Sequence, residues 1–231
     1  MIKKSLYIPF FFTLCVFSKC AVSAFMLDGT RFIYEEGKKN ISVVVNNKSQ
    51  QTFGGQAWIE NIESPNSDVA FVPIPSFFKV DKDKYQLIRI LKVTDSLSKE
   101  KESIFRLNVQ EIPPINKSKP NAVIIAVNTQ VKLIYRPKSL VNKRENAEKK
   151  IVLKQEGGQV LLKNPTPYYF AITALKINGH IATISKELSI KLGTFAPNST
   201  ILLKGINIKQ NSPVILEAID DYGAIRKYTI K

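Results

Sequence analysis

Residues 121–137, NAVIIAVNTQVKLIYRP, place an apolar or β-branched residue at every odd position from Val123 to Tyr135. Side chains alternate across a strand, so Val123, Ile125, Val127, Thr129, Val131, Leu133 and Tyr135 share one face of a single long strand. The even positions change along the run, from Ala122, Ile124 and Ala126 to Asn128, Gln130 and Lys132. The first half is therefore apolar on both faces and needs cover on two sides. If the host domain covers only one, the remainder is an exposed hydrophobic edge, suited to pairing with another chain and open to self-association.

The N-terminus bears on compartment. Lys3 and Lys4 precede an apolar run from Leu6 to Phe17, followed by Ala21-Val22-Ser23-Ala24. This is the pattern of a secretory signal peptide over residues 1–24, with cleavage expected after Ala24 and a mature chain from Phe25 to Lys231. The run is too short to span a bilayer and no later run is longer, so no membrane insertion is expected. Lys19 directly before Cys20 argues against a lipid-anchored form. Cys15 and Cys20 are the only two cysteines and both lie in the signal. The mature protein is thus expected to be exported yet without a disulfide, leaving its stability to its core. Losing Lys3, Lys4 and Lys19 lowers the formal charge from +15 to +12. Nucleic acid is not an expected partner of an exported chain, which leaves acidic surfaces, anionic lipid or carboxylates; for the charge alone, a basic solubilising surface is the favoured explanation.

The rest reads as short strands between turn residues, an all-β chain. Strands are expected at 31–34, 41–46, 56–61, 77–80, 86–92, 103–110 and the run from Val123, the spacing of an antiparallel sandwich over residues 25–140. Residues 137–150, PKSLVNKRENAEKK, are polar and highly charged, which predicts a linker at 141–150. Strand-like runs resume at 151–154, 159–162, 168–177, 189–192, 201–203 and 213–218, a smaller sandwich over 151–231. Gly54-Gly55 and Gly157-Gly158 read as hairpin turns.

Catalytic chemistry has little to work with. The mature chain has one histidine, His180 in a turn-like INGHIATI, and no thiol. Asp81 and Asp83 alternate with lysines and read as an exposed turn. No catalytic residue, metal cluster or cofactor motif stands out, so a non-enzymatic role is expected.

Several blocks resemble one family, the periplasmic pilus-assembly chaperones of the chaperone/usher pathway. Lys101 to Pro114, KESIFRLNVQEIPP, is similar to the family's ESLF…N…EIPP segment at Glu102, Ser103, Phe105, Asn108, Glu111, Ile112, Pro113 and Pro114. Residues 29–34 (GTRFIY), 56–61 (QAWIEN), 131–137 (VKLIYRP), 164–169 (NPTPYY) and 221–223 (DYG) fit in family order across nearly the whole mature chain. Ser98, Glu100 and Arg106 depart from the pattern, Arg106 standing where the family often has an aromatic. The short connection from Pro114 to Ala122, without flanking cysteines, resembles the short-loop branch.

The resemblance implies two immunoglobulin-like β-sandwich domains in an L or boomerang arrangement. It implies a periplasmic chaperone that folds and caps pilus subunits by donor-strand complementation and delivers them to an outer-membrane usher, without cofactor. Val123, Ile125 and Val127 would be lent to the subunit, with Ala122, Ile124 and Ala126 facing the chaperone's own core. Arg31 and Lys132 would grip the subunit's C-terminal carboxylate, and Glu102, Arg136 and Asp221 would form an interdomain charge network. The competing readings are an exported adhesin or pilus subunit, which would be a single domain without the Arg31 and Lys132 pair, and a secreted β-sandwich hydrolase, which would need a carboxylate or histidine pocket.

Overall fold

A computed structural model describes residues 23–63, 68–115, 123–208 and 212–230. The first half holds β1 (Phe25–Leu27), β2 (Arg31–Glu35), β3 (Ile41–Asn47), β4 (Phe53–Asn61), β5 (Phe71–Ile74), β6 (Phe77–Val80), β7 (Tyr85–Lys92), β8 (Ser103–Ile112) and β9 (Asn128–Arg136). They form two facing sheets, ordered β1-β3-β7-β5 and β2-β9-β8-β4-β6. Neighbours pair antiparallel except β2 and β9, which run parallel. Alternation drives this packing: β3 sends Val43 and Val45 inward, β7 Ile88 and Ile90, β8 Leu107 and Val109, and β9 Leu133 and Tyr135. Phe71 anchors an aromatic cluster, with ring centroids 5.0 Å from Tyr34 and 4.9 Å from Phe105.

The second half holds β10 (Val152–Glu156), β11 (Gln159–Asn164), β12 (Ile172–Ile177), β13 (His180–Ile181), β14 (Ser199–Leu202), β15 (Val214–Ile219) and β16 (Ile225–Ile230). Its sheets are β10-β11-β14 and β13-β12-β15-β16, around a core that includes Leu162, Leu175, Phe195 and Leu216. Gly157 and Gly158, both at positive φ, make the β10–β11 turn.

Four expectations differ. Gly54-Gly55 is not a turn but lies inside β4. A Cβ on Gly55 would come within 2.2 Å of the Phe78 ring and 2.9 Å of the Phe25 ring, so the glycine exists to admit two aromatics. Residues 189–192 are not a strand: they belong to helix α2 (Lys186–Gly193), whose N-cap Ser185 accepts a hydrogen bond from the Leu188 N–H and which buries Leu188 and Leu192 one turn apart. The charged segment after Pro137 is no free tether. It folds into helix α1 (Lys138–Val141) and a 3-10 turn (Ala147–Lys150), and packs Leu140, Ala147 and Ile151 into the second core. The strand at Val123 is shorter than expected, because ladder pairing of β9 begins only at Asn128.

Candidate cleft site and exposed segment

β2 and β9 are paired so that Arg31 lies beside Lys132, Ile33 beside Ile134 and Glu35 beside Arg136. Register partners in a sheet project from the same face. Phe32, Tyr34, Leu133 and Tyr135 take the face toward the core, which sends Arg31, Lys132 and Arg136 to the opposite one, toward the second domain. There Ile104 and Ile134 pack with Tyr169 in an apolar floor that joins the two domains.

The two cations meet the second domain through backbone carbonyls. Arg31 Nη1 donates to Ile219 O at 3.0 Å, and Lys132 Nζ donates to Gly193 O at the C-terminus of α2. A helix C-terminus carries partial negative charge, which suits a lysine. Neither contact brings a full anion. Arg31 Nε is buried without a hydrogen-bond partner. Burial first, and the neighbouring Arg31 charge second, push the Lys132 ammonium down to about 8; burial likewise lowers Arg31. Two adjacent, partly desolvated cations with a spare donor have the chemistry to bind a carboxylate.

The row continues across the sheet, where Lys132 is register partner of Arg106 on β8 and Arg106 of Glu60 on β4. Arg106 Nη1 reaches Glu60 at 3.5 Å, while Trp58 Nε1 donates to the same carboxylate at 2.9 Å. The residue that departs from the family pattern is thus a third cation in line with the first two. Its charge was plain in the sequence, but its alignment depended on a register that sequence does not supply.

Arg136 lies two repeats of the pleat beyond Lys132. Its Nε donates to Glu102 Oε1 at 2.6 Å, and its Nη1 and Nη2 grip Asp221 at 2.6 and 3.1 Å. Glu102 Oε2 accepts from the Tyr169 N–H at 2.7 Å, and Glu102 N donates to Pro167 O at 2.9 Å, so one residue bonds across the domain boundary twice. Burial raises the Glu102 carboxyl despite Arg136. Burial alone would lower Arg136, yet the bond to Asp221 and the Glu102 charge raise it. Two members of this network escaped sequence reasoning. Arg144 binds Glu148 through two bonds, at 3.0 and 2.7 Å, approaches Asp221 at 3.5 Å, and lies over the rings of Tyr168 and Phe170 at 5.5 and 5.2 Å. The signal was present, as an Arg and a Glu four apart, in a stretch read as a linker.

Residues 123–127 extend from β9 with little cover. Val123 is 88 % exposed, Ile125 73 % and Val127 38 %. Ile124, at 52 %, and Ala126 are exposed as well, which corrects the expectation that they face the chaperone's own core; Ala122 lies outside the described residues. The reason is the end of β8. Pro113 and Pro114 follow Ile112, proline has no N–H to donate, and the last bond along this edge runs from Glu111 N to Val127 O at 2.9 Å. Beyond it no neighbour strand is present to define an inner face among the described residues. Below that point the strand is firmly rooted: Asn108, fully buried, accepts from Asn128 Nδ2 at 3.2 Å and Gln130 Nε2 at 2.8 Å.

Family models match both halves: "Pili and flagellar-assembly chaperone, PapD N-terminal domain" over residues 24–141, and "Pili assembly chaperone PapD, C-terminal domain" over residues 146–230. The chain belongs to the pilus-assembly chaperone family. This chaperone is 44% identical over 218 residues to the Escherichia coli chaperone protein FanE, covering 94% of this chain and 95% of that one. Among solved structures, the Pseudomonas aeruginosa CupB2 chaperone superposes with a TM-score of 0.71 at 25% identity, over 88% of this chain and 98% of that one. A Salmonella enterica SafA pilin complex with the SafB chaperone matches with a TM-score of 0.75 at 19% identity, over 91% of this chain and 97% of that one, a likeness of fold.

Proposed function

We propose that this chaperone is exported to the periplasm with removal of residues 1–24, and there lends residues 123–127 to pilus subunits that lack a strand, before passing them to an outer-membrane usher. It works by binding, with no catalytic step. Val123, Ile125 and Val127 fill the subunit's open groove, while Arg31 and Lys132 hold its terminal carboxylate. Glu102, Arg136 and Asp221, joined by Arg144 and Glu148, hold the two domains at a fixed angle.

One observation carries this reading. β2 occupies the edge of β9 only from Lys132 onward, starting at Arg31, so the same edge is open from Val123 to Val131. A strand added there runs into Arg31 and stops. With its C-terminal carboxylate at that stop, the added strand must run parallel to β9, and its end fixes the register of every apolar side chain before it. From Val127 to Lys132 is about 17 Å of extended chain, so groove contacts and carboxylate grip act on separate parts of one client strand. Burying three apolar side chains contributes roughly 5–9 kcal/mol gross, against an association cost of about 4–15 kcal/mol, so the two charged contacts supply a needed margin.

The test is co-expression with a pilus subunit. Subunit should co-purify with the wild-type chaperone and not with Lys132→Ala. Normal recovery with the variant would overturn the mechanism.

A further inference from the structure

Glu111 is a buried carboxylate, 3 % exposed, at the end of β8. Its Oε1 accepts from the backbone nitrogen of Phe25 at 2.7 Å and from the Ser23 hydroxyl. Among the described residues no lysine or arginine pairs with it, in a chain whose other buried carboxylates, Glu102 and Glu148, are each gripped by an arginine. A buried carboxylate served only by neutral donors is costly, and a cation is missing from the site.

Export supplies one. Cleavage after Ala24 removes the Ser23 hydroxyl and converts the Phe25 nitrogen from an amide into an α-ammonium group. We propose that Glu111 is the binding site for this new amino terminus, so that processing replaces two neutral hydrogen bonds with a buried ion pair joining β1 to β8. The inference rests on the export reading above. In the cleavage step, water adds across the Ala24–Phe25 peptide bond; its oxygen goes to Ala24, which leaves as a carboxylate, and both its protons go to the Phe25 nitrogen, which becomes the ammonium.

Phe25 is already fixed for this role. Its ring lies 6.2 Å from Phe53 and 5.9 Å from Phe78, in the space that Gly55 leaves open, and its backbone is register partner of Asn47 on β3. The pair also reaches the lent segment. The residue whose carboxylate would hold the amino terminus is the one whose N–H holds Val127 O, so processing firms the root from which Val123 and Ile125 project.

The test is a cycle of four proteins: chains starting at Phe25 or at Ser23, each with Glu111 or with Glu111→Gln. The longer form is N-acetylated, so that Phe25 N stays an amide and Ser23 brings no ammonium beside Glu111. Glu111→Gln should raise the unfolding equilibrium constant at least roughly tenfold more in the Phe25-start chain than in the Ser23-start chain. Failure of the variant to fold in the Phe25-start form alone would support the same conclusion, and so would slower hydrogen exchange of the Glu111 amide in the Phe25-start chain. Equal cost in both forms overturns the ion pair and leaves the chaperone reading intact. An exported protein whose mass shows a different first residue overturns the inference at its premise.

Discussion

Arg31 and Lys132 are register partners on parallel neighbouring strands, and each is bound in the free protein to a carbonyl of the second domain, Ile219 O and Gly193 O. Two partly buried cations therefore stand side by side with carbonyl dipoles where an anion would serve better. Each charge-assisted bond to a client carboxylate is worth about 1.5–3 kcal/mol. Lys132→Ala or Arg31→Ala should weaken subunit binding by roughly ten- to a hundredfold. Lys132→Ala should leave the melting temperature unchanged or slightly raised, since it removes a desolvated charge; titration calorimetry with subunit and a thermal melt check both halves.

The depressed Lys132 gives the interaction a pH limit. With Lys132 at about 8 in the free chaperone, the ammonium is present below that pH and binding is undiminished. Above it, binding must first take up a proton, and affinity should fall by up to about tenfold per pH unit. Lys132→Arg stays charged throughout and should flatten the profile. Folding stability moves the other way: the unfolded chain, with lysine near its usual ~10.4, binds more protons between the two values, so stability should rise with pH in that window.

Ile125 should separate client binding from folding. It is 73 % exposed and packs in neither core, so Ile125→Asp should leave the denaturation midpoint within experimental error. A buried isoleucine is worth about 1.5–3 kcal/mol to the complex, and a carboxylate in its groove site costs more, so subunit recovery should fall at least tenfold. Normal recovery would place the lent side chains elsewhere.

Arg136 should behave in the opposite way. Arg136→Ala leaves Glu102 and Asp221 without their shared cation and is expected to cost about 3–5 kcal/mol, read as a lowered urea midpoint. Small-angle scattering should show a changed or broadened interdomain geometry. A profile identical to wild type would argue that the network adds stability without setting the angle. Arg144→Ala, which strands the buried Glu148, should lower the same midpoint.

Much of the site was legible because it depends on parity. The odd positions from Val123 to Tyr135 declared one face, and the even positions that follow, Asn128 to Arg136, all lie on the other. Arg31, Lys132, Glu102, Arg136 and Asp221 could be named from ordered blocks of sequence. What eluded sequence reasoning depended on distant neighbours. Gly55 looks like a turn until Phe25 and Phe78 are brought over it. Residues 189–192 alternate enough to pass for a strand until Ser185 caps the helix that contains them and Leu188 and Leu192 find one core. Arg144 and Glu148 look solvated until Tyr168, Phe170 and Asp221 close around them.

Sequence by itself determined that apolar or β-branched residues alternate through the odd positions of 123–135, that the chain is all-β in two parts, and that the family's blocks run in order. These follow from side-chain periodicity and residue identity, which are local. Tertiary structure alone decided where that strand loses its neighbour, at Pro113 and Pro114, and where β2 takes up its other edge, at Arg31. Alternation says which residues share a face; only the meeting of distant strands says whether that face is covered, and here it leaves Val123 and Ile125 bare.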